Sequence, residues 1–262
     1  MLSVILTLAI LMSLLMAGAW ALQRATGSSG WIDTVWSASV GFGGVLAVLF
    51  AEGEGWRRAV VFSLVVVWSL RLAGHIGMRT QGGGEDPRYA KLIKQWGSAA
   101  PLRLFIFLQI QAIAAFVLVL AVYLAAGNGQ GFPRLIDIFA TAVAFVALAG
   151  EALSDAQLSK FRKTPEAKTG VCETGLWRYS RHPNYFFEWL FWCSFPLLAV
   201  HEQVLSWASL AAPIMMYWLL VHVSGIPPLE EHMLKSRGER FRVLQRRVNA
   251  FFPGPRKNEE TP

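Results

Sequence analysis

The feature that most limits what this chain can become is its series of long apolar runs. Seven of them lie at about 2–22, 32–51, 58–77, 104–126, 134–154, 185–200 and 204–223. Each approaches the roughly 20 residues that a helix needs to cross a bilayer. In lipid only helices and closed barrels satisfy their own backbone groups, and runs without period-2 alternation choose helices. With 54% hydrophobic and 16% charged residues, an ordinary soluble domain is excluded. The first run, Leu2–Leu22, lacks a basic leader and is long enough to span, so it reads as a helix rather than a cleaved signal. Pro101, Pro133 and Pro183 fall just before helix starts, where a missing N–H is harmless. No repeat or low-complexity segment divides the chain. The expectation is one all-α membrane domain over 1–262, with seven transmembrane helices and an amphipathic segment at about 225–253.

Charge sets the expected orientation. One set of loops carries Arg24, then Arg79, Arg88, Lys91, Lys94 and Arg103, then Lys160, Arg162, Lys163, Lys168, Arg178 and Arg181, and finally the tail from Lys235 to Lys257. The other set carries only Arg57, Arg58 and Arg134, with the short Glu52–Arg58 loop among them. This asymmetry predicts an N-terminus outside and a C-terminus in the cytoplasm. The net charge of +7 then reflects loops facing the cytoplasm, and no nucleic-acid partner is implied. Cys172 and Cys193 form neither a disulfide framework nor a metal-ligand pattern, so no metal is expected.

Ionisable groups inside spans are expensive and therefore informative. Glu151, Asp155, Leu158 and Arg162 recur at i, i+4, i+7 and i+11, along one helical face. That stripe is either a salt-bridge ladder closing a membrane helix or a polar wall facing a ligand. Arg71 and His75 pair at i and i+4 in the third span, with structural and functional readings equally open. Asp33 and Trp36 open the second span, where Asp33 suits an N-cap. The segment Gln81-Gly-Gly-Gly-Glu-Asp-Pro-Arg-Tyr-Ala-Lys91 follows a membrane helix and has no Gly-Lys-Ser/Thr, so it is no phosphate loop. GxGxxG is also missing from the sequence, so any nucleotide must be held by helix ends and side chains. Asp86, Arg88, Tyr89 and Lys91 either contribute to that or form a solvated loop.

The densest chemistry lies in Gly175-Leu-Trp-Arg-Tyr-Ser-Arg-His-Pro-Asn-Tyr-Phe-Phe-Glu188. Arg178, Arg181 and His182 precede a helix start, where charge and exposed N–H groups suit phosphate. Asn184, Glu188 and Trp192 repeat every four residues and suit a carboxamide beside a planar ring. A lipid-headgroup anchor explains the basic residues but not a carboxylate sunk into an apolar helix. The tail from Gly225 alternates apolar and basic residues, as a helix lying at the membrane interface does, and such a helix can close over a cytoplasmic cavity.

Together, Asp33–Trp36, Arg71–His75, Glu85-Asp-Pro-Arg-Tyr89, Arg-Tyr-Ser-Arg-His-Pro-Asn-Tyr and the Gly225–Pro253 tail resemble the bacterial DUF1295 branch of the steroid 5-alpha-reductase and sterol-reductase superfamily. The resemblance implies a seven-helix membrane fold, NADPH as hydride donor and a bacterial inner membrane. It places Asn184, Glu188 and Trp192 on the family's cofactor pattern. Ser154-Asp155, Leu158 and Arg162 fall on a second cofactor-lining array. The expected cofactor-binding set is completed by Arg71, Arg88, Glu151, Trp177, Arg178, Ser180, Arg181, His182, Tyr185, Glu230 and Arg240. Steroid reductases carry a Gln-Glu pair and a third-helix tyrosine. Here the second span has no such pair, and Leu72 or His75 stands near the tyrosine's place. His75 or Tyr89 is therefore the expected acid, with Asp33 orienting it. The expected activity is reduction of an activated C=C bond in an apolar lipid, steroid or isoprenoid-like substrate drawn from the bilayer. Two alternatives stand beside it. One is a methyltransferase using S-adenosylmethionine and resembling isoprenylcysteine carboxyl methyltransferase, which shares the Arg-His-Pro-x-Tyr block and a pair like Glu230-Glu231. The other is a lipid-binding scaffold with no chemistry.

Overall fold

A computed structural model of the chain describes residues 1–83 and 86–257. Gly84, Glu85 and residues 258–262 lie outside the described residues, as do the side chains of Arg79, Gln81, Gly82, Gly83 and Pro87. The Glu85 position of the Glu-Asp-Pro-Arg-Tyr motif is therefore not described. The described residues form helices and no strand. In order these are α1 (Leu2–Thr26), α2 (Ile32–Phe50), α3 (Gly55–Gly83), α4 (Pro87–Trp96), α5 (Ala100–Ala126), α6 (Leu135–Arg162), α7 (Pro183–Ala199), α8 (Ala211–Trp218), α9 (Ile226–Arg237) and α10 (Glu239–Arg247).

Among the described residues, six helical stretches are long and apolar enough to cross a membrane: Leu2–Thr26, Ile32–Phe50, Gly55–Met78, Arg88–Ala126, Leu135–Arg162 and Val204–Arg237. The run expected at 185–200 appears as α7, which has 17 residues with Pro196 inside it and is shorter than those six. Two expected boundaries move. The third helix continues through Gln81–Gly83, so this part of the glycine-rich segment is helical rather than a loop. The fifth expected span continues to Arg162, which puts the whole Glu151–Arg162 stripe on one helix. The last stretch is not uniform. Val204–Leu210 is a 3-10 turn, and Leu219–Val223 is a π-helical turn leading to a break at Gly225. A Cβ on Gly225 would lie 2.4 Å from the Leu220 carbonyl oxygen, so only glycine fits that approach.

The contacts group the chain into two compact units, Met1–Ile138 with Phe195–Ala212, and Phe139–Ser194 with Pro213–Pro262. In the first unit α1 buries Leu8, Met12, Met16 and Ala19 on one face and leaves Leu6, Ile10 and Leu14 exposed. That is the stripe of a helix packed on one side and facing lipid on the other. Helices α2 and α3 approach closely through small residues. A Cβ on Gly41 would lie 2.0 Å from Ser69 Oγ, and one on Gly44 would lie 2.7 Å from Val65. Ser69 Oγ donates to the Ser37 carbonyl at 3.1 Å across the same seam. Without a hydrophobic drive between helices in lipid, such close packing and interhelical hydrogen bonds hold the pair.

The first unit also holds a staple that the charge pattern did not reveal. Arg57 is fully buried and donates to both oxygens of Asp137, at 2.9 and 3.1 Å, and to the carbonyls of Leu198 and Gln130. Arg134 donates to the same carboxylate. Arg57 is therefore a buried structural cation and not a solvated loop charge. Its cost is offset because nearly every donor is used.

In the second unit, α6 and α7 meet where a Cβ on Gly150 would lie 2.4 Å from the Phe187 ring. Phe186, Trp189, Tyr217, Phe251 and Phe252 form an aromatic cluster of edge-to-face and tilted pairs, with ring centroids 5.1 to 6.2 Å apart. Helix α10 buries Phe241 and Leu244, with Val248 beyond it, against Val171, Met233 and Leu234. The amphipathic tail thus turns its apolar face onto its own unit.

Candidate functional site

The expected site residues fall into two polar clusters, one in each unit. The first gathers around Asp33. This residue does not cap α2, because the cap position is Trp31 and no side chain bonds there. Instead Asp33 lies in the first turn, and its carboxylate accepts from Arg88 Nη2 and, at 2.7 Å, from the Tyr89 hydroxyl. Asp86 caps α4 by accepting from the Arg88 backbone N–H at 2.9 Å, and it also accepts from the Arg88 guanidinium. With its proton directed at Asp33, the Tyr89 oxygen accepts from Gln111 Nε2 at 2.8 Å. Tyr89 is buried, and its ring meets Phe107 edge-on. Arg71 and His75 lie on α3, half-buried and one turn apart. His75 makes no hydrogen bond among the described residues, so the Asp33 network does not include it.

The second cluster starts at α6 and α7. Asn184 Nδ2 donates to Asp155 Oδ1 at 3.3 Å, which joins the two stripes found separately in the sequence. One turn on, Trp192 Nε1 donates to Glu188 Oε1 at 2.9 Å. Glu188 is 5% exposed and Trp192 fully buried, so the tryptophan is an enclosed wall rather than an open one. Glu151 is buried on α6, while Leu158 is half-buried and Arg162 exposed. The 3-10 turn Gly175–Arg178 is pinned to α6: Trp177 Nε1 donates to the Ser154 carbonyl at 2.9 Å and the Leu176 N–H to Gln157 Oε1 at 2.9 Å. Gly175 has φ +59°, and a Cβ there would strike Gln157 at 2.3 Å. A side chain is excluded by conformation and by space.

The centre of this unit is Glu230 on α9. Its carboxylate accepts from Arg181 Nε at 2.7 Å and Nη2 at 3.2 Å, from His182 Nε2 at 3.0 Å and from Gln245 Nε2 at 2.7 Å. Arg181 spends its remaining donor on the Gln245 and Val248 carbonyls, and its backbone N–H goes to Asn249. Ser180 Oγ donates to the Phe251 carbonyl at 2.9 Å and accepts from the His182 N–H. Burial lowers the His182 pKa below its ordinary value, and hydrogen bonding to Glu230 opposes that shift without overcoming it. The neutral ring stacks on Tyr185, with centroids 5.6 Å apart. Arg181, His182, Ser180 and Trp177, all in the expected cofactor-binding set, are thus engaged with groups of the protein itself. Arg178 is exposed.

A more open set of cations lies at the end of α6. Arg162, Lys163, Thr164, Pro165, Ala167 and Lys168 line a solvent-open depression of about 470 Å³. Its floor is held from the tail. Arg237 donates to the Ala167 and Gly170 carbonyls, and Arg240 donates to the Thr169 carbonyl and hydroxyl. Sequence reasoning missed Lys163, Lys168, Gln111, Gln157 and Gln245 as site residues. The signal for the lysines was present, since three cations lie within seven residues of one helix end. The glutamines gave none, because a lone amide on an apolar stripe has no periodic signature.

A nicotinamide dinucleotide phosphate needs cations for its phosphates and paired donor and acceptor groups for its carboxamide. The depression supplies Arg162, Lys163 and Lys168, and the Asp155–Asn184 pair stands on the same unit. That donor set fits the group. In the Arg181–Glu230 network the described donors go to acceptors of the protein itself.

The model of the family described as a protein of unknown function, DUF1295, matches residues 19–248. The chain belongs to this family. It is also similar to the uncharacterized protein C594.04c of Schizosaccharomyces pombe (strain 972 / ATCC 24843), with 30% identity over 229 residues. That match takes in 75% of this chain and 64% of the yeast protein, so the chain spans less than two thirds of its relative. This DUF1295 chain thus has a relative in a eukaryote. No solved structure matches it.

Proposed function

We propose that this DUF1295 protein is an integral-membrane reductase that uses NADPH to reduce an activated C=C bond in an apolar substrate, of lipid, steroid or isoprenoid character. The observation that carries the reading is the Asn184–Asp155 hydrogen bond, because it joins the two motif stripes that resemble a reductase cofactor site. Arg162, with Lys163 and Lys168, neutralises phosphate at the open depression. Asn184, held by Asp155, orients the carboxamide, and the enclosed Glu188–Trp192 pair keeps that wall rigid and dry. Arg181, His182 and Glu230 act as positioning residues that fix the signature loop onto α9 and α10. When bound, NADPH supplies the hydride. The proton is held by Tyr89, oriented by Asp33, or by His75.

The same reading includes one functional domain with seven crossings. Helix α7, at about 26 Å by helical rise, is the seventh, slightly short of the ~30 Å hydrocarbon core. The loop charges favour a C-terminus in the cytoplasm, where NADPH is available, and the sequence resemblance favours a bacterial inner membrane.

The test is thermal unfolding of the detergent-solubilised full chain with NADPH, with S-adenosylmethionine and with neither. A ligand at a hundredfold its Kd stabilises by about 2.7 kcal/mol, which is readily measured as a rise in Tm. NADPH is expected to give that rise. A rise with S-adenosylmethionine alone moves the protein to the methyltransferase class, and a response to neither ligand points to a scaffold.

A further inference from the structure

Among the described residues, α4 and α10 are both amphipathic and basic, and they differ in one respect. In α10 the apolar residues are buried on the helix's own unit. At the corner between α4 and α5 an apolar track stays open. Helix α4 places Tyr89, Leu92, Ile93 and Trp96 on one face, and carries Lys91 and Lys94 exposed on the other. It ends at Gly97, with φ +52°, and a single turn, Gly97–Ala99, leads into α5. Arg103 lies in the first turn or so of α5, and Ile106, Phe107 and Ile110 follow at i+3, i+4 and i+7 on the same face. Trp96, Arg103, Ile106, Phe107 and Ile110 line a shallow groove of about 240 Å³, with the Trp96 and Phe107 rings 6.2 Å apart.

From this geometry we infer that the α4–α5 corner binds an anionic phospholipid, with its phosphate on Arg103 and one acyl chain along Ile106, Phe107 and Ile110. The argument is charge complementarity laid over membrane depth. Arg103 makes no hydrogen bond or ion pair among the described residues, although it stands at the mouth of a helix apolar enough to span. An arginine there needs an anion or water at the interface, while its stem covers apolar surface. Below it the groove offers no charge, only the aliphatic and aromatic wall that an acyl chain prefers. Lys91 and Lys94 add positive potential at the rim, as basic residues beside an anionic leaflet do. Tryptophan at this level matches the interfacial belt. The occupant is a phospholipid rather than a free phosphate because the groove continues downward from the cation as apolar surface.

The full chain, purified in detergent, is titrated with phosphatidylglycerol and with phosphatidylcholine of identical acyl chains, and retained lipid is counted by native mass spectrometry. Phosphatidylglycerol is expected to be retained about fivefold more strongly. Arg103→Gln removes the preference, Arg103→Lys keeps most of it, and Ile110→Ser weakens both lipids. Arg242→Gln, on α10, changes neither. Unaltered far-UV circular dichroism of each variant shows that the fold is kept. Equal retention of the two lipids, or an Arg103→Gln protein indistinguishable from the parent, overturns the inference. So does displacement of phosphatidylglycerol by millimolar inorganic phosphate, which would make the site one for small anions.

Discussion

Asp33 and Glu230 are both acidic residues near helix starts, each gripped by an arginine and by a ring-bearing neighbour, yet their settings differ. Around Glu230 the partners Arg181 and His182 have only 9% and 8% of their side chains exposed, and four donors converge from two segments. Around Asp33 the partner Arg88 has 39% of its side chain exposed and divides its donors between two carboxylates. The first arrangement is a closed lock whose parts have no spare capacity. In the second, a tyrosine proton is held within reach of change. Burial and saturation, more than the kind of residue, separate a positioning network from a candidate reacting one.

The comparison breaks first, and most visibly, at Glu230. Replacing it with alanine leaves Arg181 buried without a counter-charge, a loss of about 3–5 kcal/mol. Thermal unfolding of the solubilised protein measures it, and a drop below 1 kcal/mol contradicts the lock. At the other cluster, Tyr89→Phe removes one hydroxyl that both donates and accepts, costing about 1–2 kcal/mol by the same assay.

Acid discriminates further. Because the folded His182 pKa is lowered, the unfolded chain binds the proton first as pH falls below about 6.5. Its contribution to stability is therefore intact above that pH and is lost on acidification, by at most about 1.4 kcal/mol per pH unit, until the folded pKa is passed. A His182→Gln protein should lack that part of the acid limb; an unchanged pH profile contradicts the assignment. The smallest effect is expected for Arg88→Gln. Its ion pair with Asp33 is partly solvated and is worth about 1 kcal/mol or less, and a larger loss would mean that the two clusters are alike after all.

How much of this was legible in the sequence follows from the range of each interaction. The spans were legible because apolar runs are local. The α6 stripe and the α7 face were legible because i, i+4 spacing is a property of one helix, and the Asn184–Asp155 bond then joined them. Arg57 was misread as a loop cation because its acceptor, Asp137, is eighty residues away and nothing local marks the pairing. Nothing local marked the pairing of Arg181 and His182 with Glu230 either, since it lies almost fifty residues on. The end of the last apolar run at 223 was legible, but the physical cause of the break at Gly225 was not. A backbone approach, rather than a change in composition, ends that helix.

The central claim is that the second unit holds NADPH with Arg162 on its phosphate, and the direct measurement is an equilibrium binding titration of the full solubilised chain. NADPH is expected to bind, and Arg162→Ala to weaken it about tenfold or more. An Arg162→Ala protein that binds NADPH as the parent does, or a parent that does not bind it at all, contradicts the account.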